Sequence, residues 1–163
     1  MSVYVLALFI GIIAGLRAMT APAAVSWAAY AGWLPLAGTS LAFLGFKATP
    51  YIFTVLAVVE LITDQLPETP SRKVPMQFGA RVILGGLSGA AISGAHGGLA
   101  GGWIVGALGA VVGVVGAVIG TVGGASVRAA MARTFGRDAP AALIEDVVAV
   151  VGAALIVVSL HGF

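Results

Sequence analysis

The sequence predicts an all-α integral membrane protein of five to six glycine-rich transmembrane helices, and three observations lead there. Of 163 residues, 60% are apolar and only 9% charged, whereas a soluble domain carries about 25% charged residues. The mean hydropathy is +1.11. The third observation is segmentation: Val3 to Met19, Ala23 to Phe46, Tyr51 to Leu66, Val82 to Ala95, Trp103 to Val127 and Ala141 to Leu160 are apolar runs joined by short connections. At ~20 residues per crossing these runs use most of the chain, which leaves one transmembrane domain over 1–163 and no separate soluble one. None of the runs alternates in polarity as a barrel strand would.

The first run lacks the basic residues that precede the apolar core of a signal peptide, since Arg17 follows it, and it reads as a retained helix. The second is interrupted by Gly32-Trp33-Leu34-Pro35, where proline removes a backbone donor. It is expected to be broken, either as a kinked crossing or as two half-helices that enter and return. The third run carries Glu60 and Asp64, four residues apart and so on one helical face. In the fourth, Gly85, Gly89, Ser93 and Gly97 repeat every four residues.

In the fifth run Gly106, Gly109, Gly113, Gly116, Gly120 and Gly123 are spaced 3, 4, 3, 4, 3, a heptad seam stripped of side chains. Such a face lets another helix approach at backbone distance, and the fourth run is the expected partner, with Gly11 and Gly15 as a third small-residue face. An oligomer packed through these faces is a further expectation. The sixth run bears Glu145 and Asp146, which point about 100° apart on a helix, so that one of the two is expected to face inward.

Lysine and arginine orient the runs. The connections Pro67 to Arg81 and Arg128 to Asp138 hold most of them, which places both on the cytoplasmic side of a bacterial inner (plasma) membrane in a multi-pass topology. Proline recurs in the first turn of the helix starts Thr20-Ala21-Pro22, Thr69-Pro70 and Asp138-Ala139-Pro140, each preceded by a capping side chain. A half-helix N-terminus at membrane depth is an anion site, and Thr20 with Arg17 nearby is the best placed of the three. The echo of Thr20-Ala-Pro-Ala-Ala in Asp138-Ala-Pro-Ala-Ala suggests an inverted repeat with halves 1–70 and 76–163.

Ionisable groups inside apolar runs cost at least ~2.5 kcal/mol each at the bilayer centre unless paired or wet. Glu60 and Asp64 are therefore expected to share a proton or a cation, with Arg17 as counter-ion to one of the acids. The competing expectation is a static lock with Arg72, Arg81 or Arg128. Cysteine is absent, which rules out thiol chemistry and thiolate metal sites. His96 and His161 lie far apart in glycine-rich connections, no metal cluster or hydrolase triad assembles, and no cofactor is expected. The basic connections lack aromatic interleaving, so no nucleic-acid partner is expected.

Taken together, Gly15-Leu-Arg-Ala-Met-Thr-Ala-Pro22, Glu60-Leu-Ile-Thr-Asp64-Gln-Leu-Pro-Glu-Thr-Pro-Ser-Arg72, Ala80-Arg81 and Glu145-Asp146 resemble a family of small bacterial integral membrane proteins classed as a domain of unknown function. The resemblance spans nearly the whole chain and implies a membrane location and a shared residue set, without an activity.

The leading expectation is a small transporter or permeation unit. Its polar site draws on Arg17, Thr20, Glu60, Asp64, Ser71, Arg72, Arg81, Glu145 and Asp146, and its partners are the lipid bilayer and a small solute, ion or lipid. Second stands an assembly or scaffold subunit that packs through its glycine faces. Third is a lipid-phosphate enzyme in which Glu60, Asp64 and Glu68 hold Mg²⁺ while Ser71 and Arg72 engage phosphate.

Overall fold

A stretch of glycines governs how this chain packs. The computed structural model describes residues 2–65 and 74–161, with only the backbone of 98–101. Those residues form six α-helices and no strand: α1 Val3–Leu16, α2 Thr20–Tyr30, α3 Thr49–Thr63, α4 Pro75–Ala95, α5 Gly98–Phe135 and α6 Ala139–Leu160. A 3-10 turn at Ala42–Gly45 precedes α3. Helices α4, α5 and α6 are long and apolar enough to cross a membrane, whereas α1 and α3 are shorter apolar helices.

The centre is the trio α1, α4 and α5, which make the most extensive contacts in the molecule. The glycine seam of α5 divides between two partners. Gly109 and Gly113 lie against Gly89 and Gly85 of α4, while Gly116 and Gly120 lie against the α1 backbone at Leu8 and Ile12. Gly113 belongs to both contacts, since a Cβ placed on Gly11 would fall 2.9 Å from its Cα. The fourth run is thus a partner as expected, but it takes only half of the seam. The reason is geometric: consecutive seam glycines 3 and 4 residues apart drift around a straight helix, so the line passes from one neighbour to the next. Gly123, at its end, faces open space.

Helix α5 runs well past the expected Trp103 to Val127. The basic connection after it is helical through Phe135, and the turn narrows to three residues after Gly136 ends the helix at φ +68°. Likewise α4 begins at Pro75, so Arg81 sits inside a helix and not in a connection. The interruption in the second run is real. After Tyr30 the helix closes with Gly32 at φ +79°, Trp33 N–H donating to Ala28 O at 2.9 Å and Gly32 N–H to Ala29 O at 3.2 Å. This pairing defines a Schellman end, which needs the left-handed backbone that glycine supplies without strain. Leu34, Leu36 and Leu44 anchor the following loop in the core.

Outer faces are apolar. Ile83 is 69% exposed, Trp103 76%, Val111 62% and Leu155 63%. The interior holds small residues together with Arg17 at 0% and Arg81 at 2%.

Candidate functional site

Helix α1 stops at Leu16 and α2 starts at Thr20, so the chain breaks its helical ladder inside the bundle. Arg17 is extended there, with φ −139° and ψ 110°. Such a break leaves the last carbonyls of one helix and the first N–H groups of the next without intrahelical partners. Two side chains from other helices take them. Arg81 Nη1 donates to Gly15 O at 2.9 Å and Leu16 O at 2.7 Å, a cation on the negative end of α1. Glu60 accepts from Ala18 N–H and Met19 N–H, each at 2.8 Å, a carboxylate on the positive end of α2. The two clamps pair with each other, Arg81 Nη2 to Glu60 Oε1, at 3.5 Å. Thr121 adds a hydroxyl from α5, which donates to Ala117 O at 2.7 Å and to Gly15 O at 3.3 Å.

The side chain of Arg17 leaves the break in the direction of α3 and α6. Its Nε meets Asp146 at 2.5 Å, its Nη1 meets Asp64 at 2.8 Å, and its Nη2 lies 3.6 Å from Glu145. Arg128 Nη1 pairs with the same oxygen of Asp64, Oδ2, that Arg17 meets, and Arg128 also holds Asp138 through Nε at 3.0 Å and Nη2 at 2.6 Å and lies 3.5 Å from Glu145. Gln65 Nε2 donates to Asp146 at 2.8 Å. Every carboxylate of this layer, among the described residues, has a guanidinium or amide partner.

The structure therefore brings together seven of the nine residues singled out from sequence: Arg17, Thr20, Glu60, Asp64, Arg81, Glu145 and Asp146. Ser71 and Arg72 lie outside the described residues, as does Glu68. Several details differ from expectation. Glu60 and Asp64 share a helix face but not a partner set, because Glu60 turns to the break while Asp64 bridges two arginines. Both Glu145 and Asp146 reach Arg17, because its guanidinium is broad enough to meet Asp146 at Nε and Glu145 at Nη2. Neither Thr20 nor Asp138 caps its helix with its side chain. Glu60 takes that role at α2, and Asp138 is drawn to Arg128 instead.

Three more residues complete the layer: Arg128, expected only as a static-lock partner, Asp138, expected only as a helix cap, and Gln65, which carried no expectation. Arg128 stands seven residues after Thr121, two turns along the same face of α5, a register that becomes visible only once that helix is known to continue past Val127.

One cavity borders the layer and another lies away from it. The first, of about 340 Å³, is apolar and lies among α1, α5 and α6, with Ile12, Gly120, Gly123 and Val148 in its lining together with Arg128 and Glu145 of the layer. The larger, about 660 Å³, lies at the opposite end between the loop at Leu36 and Ser40 and the α4–α5 hairpin at Gly94 and Gly106. That end is aromatic: Trp27 packs edge-on to Tyr51 and donates to Thr54 at 2.9 Å, and Trp33 packs edge-on to His161. Among the described residues no group of three His, Asp or Glu side chains is placed to hold a metal ion.

No family model, curated protein or solved structure matches the chain, which is consistent with the resemblance to an uncharacterised family and leaves its motifs to rest on their own residues.

Proposed function

We propose that the chain is a multi-pass protein of a bacterial inner membrane and acts there as a small transport or permeation unit, with the arginine–carboxylate layer as its polar site. Membrane embedding is supported by the inverted surface, apolar outside and charged inside, which water would penalise and lipid favours. The single observation that carries transport is the buried α1–α2 break at the centre of the charged layer. Non-helical backbone at bilayer depth is tolerated where protein buries it or where it lines a polar path, and discontinuous helices form the ion and solute sites of many transporters. Asp64 is the pivotal group, because it joins Arg17 to Arg128 and so ties α1, α3 and α5 together.

Asp64→Asn tests this reading. Arg17 keeps Asp146 and Arg128 keeps Asp138, so the fold is expected to survive. In proteoliposomes holding a trapped pH-sensitive dye, the wild type is expected to dissipate an imposed proton gradient and the variant to lose most of that flux. A folded variant with wild-type flux would overturn the assignment. The complete pairing of the described carboxylates favours a second reading, an assembly subunit locked by its ion pairs. In that case the wild type shows no flux above empty liposomes.

A further inference from the structure

The glycine seam of α5 ends without a partner helix. We propose that the groove left there binds a chain of an anionic phospholipid from the surrounding bilayer, with the phosphate held by Arg137 at the α5–α6 turn. The groove has a volume of about 340 Å³ and lies among α1, α5 and α6. Its α5 wall includes Gly120, Gly123 and Gly124, and a Cβ on Gly123 would meet no atom within 4 Å. Three apolar side chains of the lining are open to the outside of the bundle: Val127 is 57% exposed, Ile144 43% and Val148 52%. The groove thus opens on the face that the membrane reading gives to lipid, and the proposal rests on that reading for embedding alone.

Two observations define the chemistry of the occupant. The lining is apolar apart from Arg128 and Glu145, whose charges face each other at 3.5 Å. Enclosed apolar space stays dry even at about 150 Å³ and takes up hydrocarbon, so this groove suits an acyl chain and not water or a polar solute. Glycine in its wall lets that chain lie on the α5 backbone, a closer contact than lipid makes with the branched side chains of the outer faces. The second observation is charge. The turn joining α5 to α6, the two helices that wall the groove, carries Arg137, which is exposed and forms no ion pair among the described residues. Arg133, exposed in the last turn of α5, adds another unpaired cation at the same end. Asp138, the acid next to Arg137, is held by Arg128 and leaves the N-terminus of α6 without a side-chain cap. The first N–H groups of α6 and the Arg137 guanidinium therefore both favour an anion at this end, and a phosphate supplies one.

The test compares thermal midpoints of the full chain in detergent micelles doped with phosphatidylglycerol or with phosphatidylcholine of the same acyl chains. The wild-type midpoint is expected to rise saturably with either lipid, as mass action requires of a ligand bound to the folded state, and to rise further with phosphatidylglycerol. Gly123→Leu places a side chain in the groove and is expected to lose the rise with both lipids. Arg137→Gln is expected to keep the rise with phosphatidylcholine and to lose the extra rise with phosphatidylglycerol. A wild type that responds to neither lipid, or a Gly123→Leu variant that responds as the wild type does, would overturn the site. An Arg137→Gln variant that still prefers phosphatidylglycerol would overturn the headgroup assignment. Should Gly123→Leu not survive purification, native mass spectra of the wild type are read instead: a phospholipid retained on each chain supports the site, and a bare chain overturns it. A lipid-free wild-type dimer would give the groove to a second copy and overturn the proposal. Carbonate extraction of the membranes is scored separately. A chain recovered in the supernatant overturns the embedding reading and the site with it, whereas a membrane-retained chain without a lipid response overturns the site alone.

Discussion

Where α1, α4 and α5 touch along the glycine seam, the contact is made by the absence of side chains. At the end of the same helices, the contact between Arg17, Arg128 and the acids of α3 and α6 is made by some of the longest side chains in the chain. The seam joins three helices through backbone atoms held in van der Waals contact, where lipid supplies no hydrophobic drive and close approach supplies dispersion. The charged layer joins helices that the seam never reaches, α2, α3 and α6, and satisfies the backbone of a broken helix as it does so. The two regions therefore fail in opposite ways: the seam by addition, the layer by subtraction.

The comparison breaks most sharply at Arg17. Arg17→Met leaves Asp146 with only Gln65 among the described partners and takes Asp64 and Glu145 from a shared cation, so a loss of ~3–5 kcal/mol is expected in unfolding from detergent micelles. A loss below that of a surface arginine would mean that the layer holds nothing together. On the seam the corresponding change is Gly113→Leu, which drives a branched side chain into Gly85 and Gly89 and is expected to cost ~3 kcal/mol, at the upper end of overpacking effects. Wild-type thermal stability in that variant would remove the seam from the account. Thr121→Val sits where the two regions meet. It deletes a hydroxyl that bonds the α1 terminus and is expected to cost ~1 kcal/mol by the same assay, with normal expression. Smallest is Gly123→Ala, on the seam by spacing but facing open space, which is expected to stabilise by up to ~1 kcal/mol through helix propensity. Destabilisation there would show that spacing alone, without contact, predicts seam function.

Much of this was legible because periodicity and charge act locally. The spacing of Gly106 to Gly123 announces a smooth face, the interval between Glu60 and Asp64 announces a shared face, and Gly32 with Pro35 announces a break. The division of the seam was not legible, because it depends on how far two neighbours sit around α5, which no one-dimensional pattern records. The capping of α2 by Glu60 was hidden for a related reason. Thr20 and Asp138 carry the local signature of caps, but a carboxylate brought from α3 outcompetes the local hydroxyl, and the guanidinium of Arg128 outcompetes the local N–H groups for Asp138. The reach of α5 to Phe135 was obscured by Arg128 and Arg133, which read as a connection. In a long helix such residues extend the end beyond the apolar stretch, and Gly136 is the true terminator.

Arg17 is also a matter of timing. Its partner Asp146 follows it 129 residues later along the chain. At synthesis rates of ~5–20 residues per second the wait is on the order of 6 to 26 s. Asp64 is the one carboxylate of its final set that arrives early, so through most of that interval Arg17 has only part of that set. The order of residues along the chain thus makes α6 the helix that completes the partner set of the residue at the end of α1.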